Sequence, residues 1–258
     1  RAVPQDVTAA LYAEELLDTL AEGQLPPLKE LTDLETGMPY DIDNVLMDAH
    51  LTVNLTMPAL WMRSVNKYTD VFAQETFIDE VATRYSRDPY QYRRGMLNNE
   101  PRLLAVLDAA AQAANWGGPN GGRSQGLAVL GHWMSYVAQV VELSVSADKV
   151  VTIHRVISAV DVGTAVNPDL VVAQVESAIV FALTSVFYGE ITLNDGVVQQ
   201  SNYDDYPVLR MFETPEMETI VLPSNHAPGG VGELGVPALG PALVNAIFAA
   251  TGETVREL

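Results

Sequence analysis

The sequence predicts an α+β fold of mixed sheets with packed helices, on three observations. In the first half, Val71, Phe72, Phe77, Ile78 and Val81 recur at helical spacing. Beyond a glycine-rich break at residues 117–122 the period changes, and Val- and Ile-rich runs bounded by turn residues read as strands. Helical and strand-like segments also follow one another without the regular βα alternation of a doubly wound sheet.

In chain order, residues 1–37 form an irregular lead-in with a short amphipathic helix at 8–22 and a break at Pro26-Pro27, and alternating apolar residues over 40–55 lead into strands. A helix follows over 68–85, with Asp70 near its N-terminal end. A second covers 89–97, and a third, 101–114, carries Pro101 in its first turn and stops at Trp116-Gly117-Gly118-Pro119. Residues 126–130, 136–145 and 150–160 read as neighbouring antiparallel strands, with Ser146-Ala147-Asp148-Lys149 as a turn. The apolar stretch 168–186 is expected to be a buried helix. Asn194-Asp195-Gly196 turns between two strand-like pieces within 188–198. A further strand is expected at 217–222 and a last apolar helix at 237–250. The organisation predicted is a lead-in (1–37), a helical part (38–122) and a strand-rich part with a C-terminal loop and helix (123–258).

At 258 residues and 48% hydrophobic, the chain can bury a sizeable core. Its formal net charge of −19 argues against nucleic acid and anionic membrane surfaces as partners, since both need a basic face. No apolar stretch is expected to reach the roughly 20 residues that cross a bilayer, no signal peptide is visible, and the chain is expected to be soluble. It starts at Arg1 rather than Met, so it reads as trimmed, with any targeting segment outside it. The absence of cysteine excludes disulfides, iron–sulfur ligation and thiolate zinc sites within the chain.

Gly229-Gly230-Val231-Gly232-Glu233-Leu234-Gly235 puts one carboxylate among four glycines before the last helix. Glycines permit left-handed backbone and close approach to a ligand. A carboxylate held where a strand feeds a helix, partly desolvated, suits general-base work. The alternative is a surface turn in which Glu233 favours the helix dipole. His50, His132, His154 and His226 occur singly, without zinc-ligand spacing, and neither a Gly-x-Ser-x-Gly elbow nor a P-loop is present. His132 either lines a pocket lip or is structural, and His154 belongs to a polar strand face. Arg63 either anchors an anion or sets backbone near a cofactor, or forms a surface ion pair. Gln174, in a helix that reads as buried, either meets a heterocycle or is a satisfied core amide. Asp161-Val162-Gly163 reads as a strand-end turn.

Several ordered motifs carry a resemblance: Trp61-Met62-Arg63-Ser64-Val65; Phe72 to Glu80; Asp88-Pro89 with Tyr92-Arg93-Arg94; and Ala159-Val160-Asp161-Val162-Gly163. Asn167-Pro168-Asp169, Gln174-Val175-Glu176, Tyr188-Gly189-Glu190-Ile191, Gln200-Ser201-Asn202 and Asp205 to Met211 continue it. It closes on Gly230 to Glu233 and Asn245 to Leu258. From about Met38 onward the chain resembles the C-terminal part of the molybdopterin-binding subunit of the molybdenum hydroxylases, the xanthine dehydrogenase and aldehyde oxidase family. Its isoquinoline 1-oxidoreductase and membrane-associated aldehyde dehydrogenase branch is the most similar.

The resemblance implies that Glu233 is the base that deprotonates a hydroxo or water ligand on molybdenum, while hydride passes from substrate to a sulfido ligand. It implies that Gln174 hydrogen-bonds the pterin, that the backbone of Arg63 approaches the metal, and that Gly230, Val231 and Gly232 line the cofactor. Val65 and His132 fall at substrate-pocket positions, and no side chain ligates the metal. The implied cofactor is a molybdenum-pterin group in its cytosine dinucleotide form. The implied partners are the remainder of the subunit, an iron–sulfur subunit, a cytochrome or other electron acceptor, and an aldehyde or N-heteroaromatic substrate. The branch suggests a periplasmic location, with a cytoplasmic one open. Relatives usually have glycine after the Gln-Val-Glu motif, where Ser177-Ala178 stands, and many have proline where Leu234 stands. These departures leave open a catalytically silent fragment or assembly domain that binds no metal.

Overall fold

The structure, a computed structural model, describes residues 38–45, 62–65, 67–118 and 121–256. The helix expected at 8–22, the rest of the lead-in, most of 40–55, and Trp61, Glu257 and Leu258 of the quoted motifs lie outside the described residues. The elements run α1 (Lys67–Arg84), α2 (Pro89–Gly95), α3 (Pro101–Ala113), β1 (Ser124–His132), β2 (Ser135–Val145), β3 (Val151–Asp161) and α4 (Pro168–Tyr188). They continue as β4 (Leu193–Asn194), β5 (Val197–Val198), a short 3₁₀ turn (Met211–Glu213), β6 (Glu216–Val221) and α5 (Leu239–Thr251).

Local chemistry explains the helix starts. Asp88 Oδ1 accepts the Gln91 N–H at 2.8 Å, and Asn167 Oδ1 accepts that of Leu170 at 3.2 Å. Each cap is followed by a proline in the first turn, where its missing N–H costs nothing. In the β4–β5 hairpin, Asp195 and Gly196 both take left-handed backbone, φ 50° and 79°, the geometry that lets a two-residue turn follow strand twist.

The main sheet has the order β1-β2-β3-β6. The first three strands pair antiparallel, as their runs predict. β6 instead pairs parallel to β3, Arg155 to Val160 against Glu216 to Val221. A parallel return needs a crossover, and α4 lies within it. Both faces of the sheet are covered. Leu127, Val129, Val140 and Ile157 pack with Leu103, Val106, Leu107 and Ala110 of α3. Ala128, Leu130, Val141 and Val156 pack with residues of α4 and α5. Two covered faces explain why the strands read as continuous apolar runs rather than alternating ones.

α4 corrects two expectations. At 21 residues it is long and apolar enough to cross a membrane, although the sequence reading had no stretch reaching that length. A core helix passes the same test, and here Val171, Val175, Ala178, Ile179, Ala182 and Leu183 are buried in the core. Its Gln174 side, by contrast, is exposed. α5 is fixed by a backbone contact: a Cβ on Gly126 of β1 would stand 2.1 Å from Ala246 N and 2.3 Å from Ala242 O. Only glycine admits that approach, and it sets α5, with the loop that precedes it, directly on the sheet.

Candidate active site

Glu233 belongs to a loop rather than to a strand end. β6 stops at Val221, and residues 232–238 turn continuously before α5 begins. None of the loop's four glycines takes left-handed backbone, contrary to the role expected of them. Two of them, Gly229 and Gly235, serve close contact instead. A Cβ on Gly229 would stand 2.2 Å from Ser135 Oγ and 2.7 Å from Met134 O, and one on Gly235 would stand 2.8 Å from Ala178 Cβ. The Gly229 N–H donates to Val162 O at 2.8 Å and that of Gly230 to Trp133 O at 2.8 Å, pinning the loop to the end of β3 and the tip of the β1–β2 hairpin. Gly232 is exposed, and a Cβ there would meet nothing within 4 Å.

The left-handed residues lie across from the loop. Ser64 (φ 84°) and Val65 (φ 50°) turn the chain into α1, a conformation costing non-glycine residues about 1–3 kcal/mol each. Val65 N–H to Met62 O at 2.9 Å and Lys67 N–H to Ser64 O at 3.0 Å hold the turn. From it, Ser64 N–H donates to Glu233 Oε2 at 2.5 Å, and Ser64 Oγ–H donates to Glu233 O at 2.9 Å. Glu233 is half-buried, and its Oε1 accepts no hydrogen bond among the described residues.

Arg63 joins the loop to α4. Its Nε donates to Gly232 O at 2.6 Å and Nη1 to Ser177 Oγ at 3.2 Å. Nη2 reaches Gln174 Oε1 at 3.0 Å and Gln174 O at 3.3 Å. The guanidinium carbon lies 5.8 Å from the centre of the Phe181 ring, a cation–π distance. Partial burial draws the guanidinium below its ordinary pKa, and the Glu233 carboxylate opposes that shift. Arginine nevertheless stays charged. Because Gln174 Oε1 accepts from Arg63, the two amide N–H donors of Gln174 are left for a group outside α4. Gln174 is thus neither buried nor a core amide.

Arg63, Gln174, Gly232 and Glu233 are therefore brought together from three distant segments. Gly230 is held against the hairpin tip, and Val231 packs partly buried on the core. Val65 adjoins Ser64 in the turn. His132 ends β1, with its ring edge-on to Trp133 at 4.4 Å between centres, beside the residue that receives Gly230. His154, half-buried on β3, shares a 2.7 Å hydrogen bond with Ser144 Oγ. Sequence reasoning missed Ser64, whose left-handed backbone has no glycine signature, and it missed the use of Ser177 as an acceptor for Arg63.

Asp161 is more than a strand-end turn. Arg102 donates to Asp161 Oδ2 from Nε at 2.6 Å and to Oδ1 from Nη2 at 2.7 Å, while stacking 4.4 Å over Tyr136 and reaching Met134 O at 3.3 Å. This bidentate pair braces the hairpin tip that holds Gly229 and Gly230. The Arg102 hydrogen bonds keep the Asp161 carboxyl below its ordinary range, burial opposing, with the Gly163 N–H and Ser224 assisting. A depressed carboxyl contributes stability above its unfolded pKa and loses it as pH falls through the folded value. Asp161→Asn should lower stability at neutral pH by about 1–3 kcal/mol. In thermal unfolding measured against pH, the gap to the parent should close as acidity passes below the ordinary aspartate range.

Among the described residues no group of three His, Asp or Glu side chains is placed to hold a metal ion. The polar groups that face outward are the Gln174 amide, the exposed main chain at Gly232, and a carboxylate with one unengaged oxygen. That set fits a group that brings its own metal ligands and offers heterocyclic hydrogen-bonding edges. It does not fit a side-chain-ligated ion.

A family model for the molybdopterin cofactor-binding domain matches residues 106–215. Isoquinoline 1-oxidoreductase subunit beta of Brevundimonas diminuta is 34% identical over 85% of this chain and 29% of its own length. The membrane-bound aldehyde dehydrogenase (pyrroloquinoline-quinone) of Gluconacetobacter polyoxogenes is 33% identical over 77% of this chain and 28% of its own. The crystal structure of quinoline 2-oxidoreductase from Pseudomonas putida 86 superposes with a TM-score of 0.67 at 11% identity, over 76% of this chain and 50% of that one, and shows the shared fold. The family model and the shared fold define a molybdopterin-binding architecture. The chain belongs to the molybdenum hydroxylase family, within its molybdopterin-binding subunit, and spans less than a third of the length of these two curated relatives.

Proposed function

We propose that this chain supplies the general base and one wall of the cofactor site in a molybdenum-dependent hydroxylase that oxidises an aldehyde or N-heteroaromatic ring with oxygen from water. The observation that carries this reading is the hydrogen-bonded convergence of Arg63, Gln174, Gly232 and Glu233. A bound molybdenum-pterin group would supply the two-electron redox chemistry. The chain's residues supply position and proton handling.

Gln174, oriented by Arg63, offers its amide N–H donors to the pterin edge, and exposed Gly230 and Gly232 let that edge approach the backbone. Glu233 takes a proton at Oε1, the oxygen left unengaged when Oε2 accepts the Ser64 N–H. Arg63 places a permanent positive charge beside that carboxylate. Its guanidinium acts as a brace between loop and helix, in addition to whatever its backbone contributes. Ser177, where relatives carry glycine, completes the brace and keeps the arrangement intact. That intact geometry favours the enzyme over a silent fragment. Val65 and His132, on the turn and hairpin that flank the loop, are the proposed substrate-facing positions. The rest of the subunit completes the site, and electrons leave through an iron–sulfur partner.

Metal analysis of the complete complex with all partner chains tests this reading. Molybdenum and pterin equimolar with this chain are expected. Benzaldehyde-like or quinoline-like substrates should be converted with label incorporated from ¹⁸O-water. A full complex without molybdenum would overturn the proposal.

A further inference from the structure

Resting on the reading of Glu233 as the base, we propose that Ser64 is the residue that positions it. Ser64 is fully buried and grips Glu233 twice, by its N–H on Oε2 and its Oγ–H on the carbonyl oxygen. Its neighbour Arg63 binds the carbonyl of the preceding residue, Gly232. Two consecutive residues of one turn thus fix three successive polar groups of the loop. The left-handed backbone of Ser64 and Val65 presents the Ser64 N–H toward the loop while Lys67 N–H closes the turn onto α1.

A carboxylate with one oxygen and its own main chain both fixed has its other oxygen aimed in one direction. That aim matters because small displacements of a reacting group reduce rates steeply. Ser64 touches neither substrate nor cofactor in this scheme and acts through Glu233. Glycine at position 64 would tolerate φ 84° without a steric penalty, so serine at that angle is retained at a conformational cost. The hydroxyl bond to the Glu233 carbonyl is what glycine lacks.

Three measurements on the complete complex test this. Ser64→Ala deletes the hydroxyl bond and keeps the N–H; kcat should fall about tenfold, the worth of one hydrogen bond, with KM and molybdenum content unchanged. Ser64→Gly also deletes the hydroxyl but relieves the backbone; its thermal midpoint should equal or exceed the parent's while its kcat falls like that of Ser64→Ala. A purely structural serine would not separate the two. Third, hydrogen exchange of the Ser64 amide, read without turnover, should accelerate at least about tenfold in Glu233→Ala, as expected for loss of a protecting bond. Parent-like kcat in both serine variants, or amide exchange indifferent to Glu233→Ala, would overturn the role of Ser64. Loss of turnover in Glu233→Gln, measured alongside, shows separately whether the base reading stands.

Discussion

Glu233→Gln is expected to reduce turnover of the complete enzyme by about 10²–10⁴-fold, the usual contribution of a positioned general base, with folding and cofactor content retained. Glutamine keeps the shape of the side chain and an amide oxygen that can accept the Ser64 N–H, so the turn at residues 62–65 and the brace from Arg63 to α4 stay satisfied. What it removes is proton affinity at Oε1. A loss confined to proton transfer lowers kcat and kcat/KM together and leaves KM near the parent value. The check is steady-state turnover beside molybdenum content for parent and variant prepared identically. Parent-like turnover would reject Glu233 as the base. Loss of turnover accompanied by loss of molybdenum would move its role to cofactor retention. Glu233→Ala should be worse in stability as well, because it leaves the Ser64 N–H without its acceptor.

What the sequence carried for this site, and what it did not, divides along local and non-local physics. The cap at Asp88-Pro89 and that at Asn167-Pro168 are local, and both motifs quoted for the resemblance prove to be helix N-caps with a proline in the first turn. The Val-rich runs mark strands because burial on both faces removes polar alternation. The parallel pairing of β6 with β3 was not legible, since it depends on a crossover that no window of sequence contains. The exposure of Gln174 was not legible, because an apolar helix with one exposed stripe resembles a buried one when most of its residues are hydrophobic. The glycines around Glu233 announced an unusual backbone, yet the left-handed residues are Ser64 and Val65. Ser64 combines that conformation with hydrogen bonds to a loop far away in sequence, and side-chain identity gives no sign of it. Glycine was needed in the loop for close approach to the hairpin, a reason its composition cannot distinguish from positive φ.

Arg93→Met is expected to destabilise the fold by about 3–5 kcal/mol, the cost of leaving buried charge without its partner. Arg93 is 0% exposed, with Glu75 at 2% and Asp79 at 4%. Its Nε donates to Glu75 Oε2 at 2.9 Å, Nη1 to Asp79 Oδ1 at 2.6 Å and Nη2 to Glu75 O at 2.8 Å. Glu75 also accepts from Tyr40 Oη at 2.5 Å and from the Val129 N–H at 3.1 Å, so one cation serves two carboxylates in a hub joining α1, α2 and β1. Burial alone would draw the guanidinium down, but Glu75, Tyr40 and Asp79 hold it above its ordinary value. Burial also raises the Asp79 carboxyl, and the opposing pull of Arg93 is what limits the rise. Removing that pull raises it further. A carboxyl raised in the folded state contributes stability that is present below its unfolded pKa and lost as pH rises through the folded one. The gap between Arg93→Met and parent should therefore be smaller near the ordinary carboxylate range than at neutral pH, read as thermal midpoints against pH. Adding Glu75→Gln and Asp79→Asn to Arg93→Met should recover part of the loss, because the stranded charges disappear with the cation. A pH-independent gap, or no recovery in the triple variant, would show that the penalty comes from lost packing volume rather than from charge.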